Sequence, residues 1–445
     1  MRDVILKRYT SKAFMGIKMR VFSSLFTITK IVSSRLSKAI LIVSSLVFTQ
    51  VSSAAVWDSG NNYWNGDWEI KYQNWVAKEW KPDFFMSPAK PEYNQIPHDC
   101  ADAIYLMRAA FAYENKLPFK VHYLDKKNKY IENTMTNWDK LPPSQRFRAF
   151  SLFMNDRVGT RSFAKDSFPI ALAQIKAGDL YTEPGTHSYA MTGITDTGVT
   201  AIMSSTTPAS PKNMIQLYSY PFFVPHDPVG MTDGYRRFKW PRNIDKPMQQ
   251  QPGFSNEQYQ IAQKVGLNYI PFTEEIGKRL RRREEPLEEK TMRLMHSLCS
   301  FAKERVNYVN DGINKLNTIK ASGRSCMNAK EYDYFSTPSR DKRLHRFFVE
   351  VSKIAYSGGQ LTEDEVNAQV LARSIFHPDL PSELLKELDT FCGLAIYPND
   401  NTRHINLRQL WETLNAGKVS SDPHAPFENR WGLTEQKFAG SCKTY

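Results

Sequence analysis

The chain has 445 residues, 24% of them charged, with a formal net charge of +13. Nine Lys and Arg against one acid fall in residues 1–55, a surplus of eight that leaves only about +5 for the rest. That mild excess permits attraction to an acidic wall polymer or an anionic surface and does not call for nucleic acid, so no nucleic-acid partner is expected.

The basic start is followed by the apolar run AILIVSSLVF (Ala39 to Phe48) and then SSAAV, with Ser53 and Ala55 as small residues before a cut. A basic region, about ten apolar residues and a small-residue exit mark residues 1–55 as a secretory signal, with Met15 or Met19 as alternative starts. The run is too short for a membrane span, which needs roughly 20 apolar residues. The expected mature protein is therefore secreted or periplasmic, with no stable span once the signal is cut. Its length suggests two domains.

Residues 56–89 are rich in aromatics. In DWEIKYQNWVAKEW, Trp68, Tyr72, Trp75 and Val76 recur at helical spacing, which predicts a helix packed on the following domain rather than a sugar-stacking surface. Residues 90–245 mix patterns. A helix should begin at Cys100, where Ala103, Ile104, Met107, Ala110 and Phe111 repeat every three or four residues, led in by Pro97 and Asp99. FKVHYLD reads as a strand and PPSQRFRAFSLFMNDRV as a second helix. AGDLYTE, HSYAMTGI, VTAIMSST and NMIQLYSY follow as short strands, with a hairpin turn in GITDTGVT. The predicted class is α+β.

From 253 to 445 the texture is all-helical. SNEQYQIAQKV, PLEEKTMRLMHSLCSFAKERVNYVNDGINKL, RDKRLHRFFVEVSKIAY, TEDEVNAQVLARSIF and PSELLKELDTFCGLAI carry apolar residues at helical spacing. The run GKRLRRREEPLEEK is expected as a solvated helix face. YDYFSTPSRDKRL reads as a Ser-Thr-Pro helix start, with Arg340 and Arg343 as candidates to hold an acidic ligand. There is no internal repeat.

Five cysteines are an odd number for an exported chain. Cys299, Cys326, Cys392 and Cys442 lie in the last third and can form two disulfides, with three pairings open. Cys100 is left over, at a helix N-terminus whose free N–H groups and positive dipole end favour a thiolate. Asp99 and Asp102 oppose that, so a histidine is needed to take the proton. Of nine histidines, His187 stands out because it follows the loop EPGT and opens an apolar strand. His98 and His122 are nearer in sequence but less well placed.

DCADAIYLMRAAFAYENKLPFKV resembles the cysteine-helix segment of papain-like enzymes, both the bacterial NlpC type and the transglutaminase-like type. AGDLYTEPGTHSYAMTGI resembles the NlpC-type arrangement in which a Gly-Asp pair precedes a histidine that opens a strand. The span TRSFAKDSFPIALAQIKAGDLYTEPGTHSYAMTGI is similar to an uncharacterised bacterial family thought to share that fold. The resemblance covers roughly residues 90–225 and does not extend to the helical region. It implies a papain-like Cys–His thiol hydrolase that attacks an amide, forms an acyl-enzyme and releases it to water. For the NlpC type the substrate would be the peptide stems of peptidoglycan or another envelope peptide. Transglutaminase-like relatives use the same dyad for acyl transfer. These families orient the imidazole with a polar residue on the next strand. Here that strand is VTAIMSSTTP, which offers Ser204 and Ser205, while Asp196 lies in the turn before it. The oxyanion would be held by the Cys100 N–H and a second donor, for which His98 is the candidate. No sequence pattern for a metal, phosphate or other cofactor appears. The rival expectation is a non-catalytic envelope protein that binds wall peptides in the same groove.

Overall fold

Helix α1 (Gly66–Glu79) starts where the Asn65 side chain accepts the Trp68 N–H. The computed structural model describes residues 55–445 apart from 378, 380, 398 and 399, so the signal reading, save Ala55, lies outside the described residues. The rings of Trp64, Trp68, Tyr72 and Trp75 surround Phe111, with centroids 5.3–6.3 Å away. Arg108 stacks 3.4 Å from the Trp64 ring and forms two hydrogen bonds to Glu69, so its buried charge is neutralised. The aromatic segment thus packs into the core against α2 (Cys100–Glu114).

α2 is buried along its whole length from Cys100 to Ala112. A helix with apolar residues all round needs cover on every side. The aromatic segment covers one flank, and α3 (Pro143–Asn155) and the sheet cover the others. Before α3, β1 (Lys120–His122) and β2 (Tyr130–Glu132) form a small antiparallel hairpin. A short α4 (Phe163–Asp166) leads into the main sheet.

The sheet contains β3 (Ser167–Pro169), β4 (Leu180–Glu183), β5 (His187–Ile194), β6 (Thr200–Ser204), β7 (Ile215–Tyr218) and β8 (Gly234–Phe238). Its order is β3-β8-β4-β5-β6-β7, with every pairing antiparallel. Alternation sorts the two faces. Leu180, Ala190 and Met203 join the core around α2, while Tyr181, Tyr189, Met191, Ile202 and Leu217 join the core of the helical region. β3 and β8 carry no apolar alternation in sequence. GYRRF enters the sheet because Arg236 donates to Ser167 Oγ and O, and Arg237 pairs with buried Asp179. In the GD pair, Gly178 has φ +88°, and a Cβ there would lie 2.5 Å from the Tyr72 ring.

The helical region comprises α5 (Glu257–Lys264), α6 (Tyr269–Leu280), the long α7 (Leu287–Ala321), α8 (Ala329–Phe335), α9 (Pro338–Ala355), α10 (Glu363–Arg373), α11 (Ser382–Cys392), α12 (Leu407–Asn415) and α13 (Phe427–Trp431). It is not all-helical. Gly393 ends α11, and GLAIY continues as β9 (Gly393–Tyr397), paired antiparallel with β10 (Asp400–Asn406). The residues that looked like the end of an amphipathic helix bury Leu394 and Ile396 at a period of two. The basic run is also corrected. α6 stops at Leu280 and Pro286 precedes α7, so the arginines lie mostly in the connection. They pair with acids: Arg281 with Glu284, Arg283 with Glu289 and Arg282 with Asp196.

Disulfides join Cys299 to Cys392 and Cys326 to Cys442, and Cys100 is a free, buried thiol. Two bridges are the pattern of a chain matured in an oxidising compartment. No helix among the described residues is long and apolar enough to cross a membrane.

Candidate functional site

The two carboxylates flanking Cys100 have a local structural job. Asp99 caps α2, accepting the N–H groups of Ala101 and Asp102, and Asp102 Oδ2 accepts the Asp99 N–H at 3.0 Å. This capping box sets the first turn, and burial of the helix below it holds Cys100 in place. The electrostatic cost falls on the thiol. Burial first, then Asp99 and Asp102, push its pKa up to about 12 against the opposing pull of Ser188. The Ser188 hydroxyl nonetheless has no partner in ordinary hydrogen-bond geometry, so its hold on the sulfur is weak.

His187 opens β5 immediately before Ser188. Its Nε2 lies 3.0 Å from Ser204 Oγ, across the β5–β6 pairing. Ser204 Oγ in turn lies 3.4 Å from the Ser205 carbonyl, which only accepts. If the hydroxyl donates to that carbonyl, it accepts from Nε2–H, and Nδ1 is left as the basic nitrogen. Burial, with help from Arg343 and Arg340, holds the His187 pKa well below 6.5. The resting site therefore has a neutral thiol and a neutral imidazole. The thiol faces Ser188 and the imidazole bonds Ser204; among the described residues no hydrogen bond joins Cys100 to His187.

What Cys100 and His187 share is a cleft of about 390 Å³. One wall carries Asp99, Cys100 and Ala101 from the start of α2, and another carries Gly185, Thr186 and His187 from the β4–β5 turn. The third comes from the helical region, where Asp333, Ser336, Ser339, Arg340 and Arg343 face the same space. The distinctive YDYFSTPSRDKRL segment thus lies at the site. Its Asp341 is an anchor: buried Arg305 binds it at 2.8 Å, and Thr337 and Ser421 each donate to it at 2.7 Å.

The remaining polar candidates go elsewhere. Ser205 Oγ lies 2.9 Å from His98 Nδ1, and His98 Nε2 donates to the Lys212 carbonyl at 3.2 Å. His98 is fully buried with both ring nitrogens used, so it is not free to serve as the second oxyanion donor. Of the two serines only Ser204 holds His187. Asp196 sits at the opposite end of β5, where its carbonyl accepts the Arg282 and Arg283 N–H groups. His122 is bound to Asp166 at 2.6 Å. Among the described residues no group of His, Cys, Asp and Glu is placed to hold a metal ion.

Sequence reasoning missed Ser188, Thr160 and Thr186 in this site. Their side chains carry no pattern of their own: Ser188 meets the Cys100 thiol through the packing of α2 on β5, Thr186 comes from the β4–β5 turn, and Thr160 is held to that turn by the Gly185 N–H at 2.8 Å. Comparison with known proteins adds no relative: no family model, no curated protein and no solved structure matches the chain.

Proposed function

We propose that this protein is an exported cysteine amidase or peptidase with a papain-like core, acting on peptide stems of peptidoglycan. The observation that carries the reading is that a cysteine at a capped helix N-terminus and a strand-opening histidine line one cleft. A cysteine helix packed on an antiparallel sheet, with the histidine on the strand it touches, supports the papain-like assignment. The two disulfides support export.

With both partners neutral at rest, the route is general-base catalysis rather than attack by a preformed ion pair. Substrate binding brings the imidazole and thiol together; His187 Nδ1 takes the proton as Cys100 Sγ bonds to the amide carbon. The Nε2–H stays on Ser204. The imidazolium then gives its proton to the leaving amine, and water releases the acyl group from sulfur. The Cys100 N–H, in the first turn of α2, is one donor to the developing oxyanion.

Digestion of purified cell wall, read by mass spectrometry, tests the function. New peptide fragments are expected with the wild type, and an unchanged digest argues against it. A second reading, a wall-peptide binding protein on the same fold, draws on the thiol itself, whose pKa of about 12 describes an inert group. Alkylation of the folded protein by iodoacetamide separates the two. Labelling of Cys100 in the folded state, slowed by substrate, supports the enzyme, and a thiol labelled only after unfolding supports the binder.

The pH profile follows from His187. Because its folded pKa is held below 6.5, the neutral base persists as the pH falls past 6.5. The acid limb of kcat/KM is therefore expected well below pH 6.5. Replacing Arg343 with Met removes one of the two positive neighbours and should move that limb upward.

A further inference from the structure

The cleft contains a charge that its own walls do not use. Arg343, on the second turn of α9, is only 9% exposed, and its Nε is buried without a hydrogen-bond partner. Among the described residues it forms no ion pair. The other deeply buried guanidinium groups are each held by at least one hydrogen bond, Arg108 to Glu69, Arg236 to Ser167, Arg305 to Asp341 and Arg430 to the Ser421 carbonyl, although Arg305 Nη1 and Arg430 Nε also lack partners. A buried cation without a partner is costly to the fold. Such a group persists where a ligand supplies the missing charge.

Its surroundings are arranged around the same space. Arg340, one turn earlier, donates to Thr207 O and Oγ1 at 2.8 Å and stacks 4.1 Å from the Tyr308 ring, which fixes its guanidinium at the cleft wall. Ser339 also lines the cleft, at the start of an 18-residue helix whose N-terminus has no side-chain cap. The Arg305–Asp341 pair makes this turn rigid. Negative groups are present too: Asp99 and Asp333 line the cleft, and Glu183 and Glu304 feel the Arg343 charge. These four carboxylates oppose a doubly charged anion, and a planar guanidinium fork matches a carboxylate.

We propose that Arg343, assisted by Arg340, Ser339 and the first-turn N–H groups of α9, forms a subsite for a free carboxylate carried by the substrate beside its scissile amide. The inference rests on the hydrolase reading for the word substrate, and it names the class: peptides with a carboxylate next to the bond that is cut. It also assigns the helical region a part in the site, since it supplies the recognising side chains while α2 and β5 supply the chemistry. A bound carboxylate offsets the positive field at His187, so occupancy of the subsite and strengthening of the base are coupled.

The test measures binding to the full chain carrying Cys100→Ala, where no turnover occurs. N-acetylalanine, a monocarboxylate, is titrated calorimetrically against its neutral isostere N-acetylalanine amide and against inorganic phosphate. The carboxylate is expected to bind and the amide not, with Arg343→Met weakening the carboxylate at least tenfold and Arg343→Lys weakening it less. Arg343→Met should unfold at or above the midpoint of its parent, because it removes an unpaired buried charge. Equal binding of acid and amide, or unchanged binding in Arg343→Met, overturns the subsite. Tighter binding of phosphate than of N-acetylalanine, lost in the same variant, overturns the carboxylate assignment. Binding as expected with no cleavage of cell wall defeats the hydrolase reading alone. Cleavage without acid-over-amide preference defeats the subsite alone.

Discussion

Cys100→Ala and His187→Ala are each expected to remove all measurable release of peptides from cell wall, while circular dichroism and the unfolding midpoint stay close to wild type. Alanine for cysteine deletes one sulfur at a helix end that is fixed by the Asp99–Asp102 capping box, not by the thiol. His187 is buried, packs edge-on against Tyr189 and bonds Ser204, so its loss costs the fold about 1–3 kcal/mol, a small part of the stability of a chain this long. The chemical loss is expected to be far larger, because water at the same position replaces neither a nucleophile nor a general base. Ser204→Ala gives the contrast. It removes a neutral hydrogen bond and should slow turnover about tenfold or less. A Ser204→Ala variant as damaged as Cys100→Ala would mean that the serine does more than orient the ring. Near-normal activity in either dyad variant would sink the assignment.

The second large effect concerns the disulfides. Cys299–Cys392 and Cys326–Cys442 close loops with sequence separations of 93 and 116 residues. Bridges typically contribute about 2–4 kcal/mol by limiting the unfolded chain, and loops of this length lie at the upper end. The paired variant Cys299→Ser, Cys392→Ser should lose about that much in urea unfolding. Reduction should reach Cys326–Cys442 first, because it is half-exposed while Cys299 and Cys392 are buried. Thiol counting on the unreduced, unfolded protein should find one free thiol, Cys100. A count of five would remove both bridges and the reasoning that singled out Cys100.

The sequence by itself determined much of the local structure. Apolar spacing placed α1, α2, α3, α7, α9 and α10, because a helix that must bury one face declares it every three or four residues. β4 to β7 were legible for the same reason at period two, and the parity of the cysteines left Cys100 aside. Tertiary structure alone decided which groups meet. β3 and β8 join the sheet through buried arginine contacts that no periodicity announces. The end of α11 became a strand because Gly393 and the pairing with β10 outweighed helical spacing. Ser204 and Ser205 are adjacent in sequence, yet one holds His187 and the other His98, since the hydrogen-bond partners come from different segments. Arg343 was legible in sequence, with Arg340, as a candidate to hold an acidic ligand, but its burial was not. Only the packing of α9 against the cleft makes it a buried cation with no hydrogen-bond partner, because burial and pairing belong to the assembled chain rather than to any residue of it.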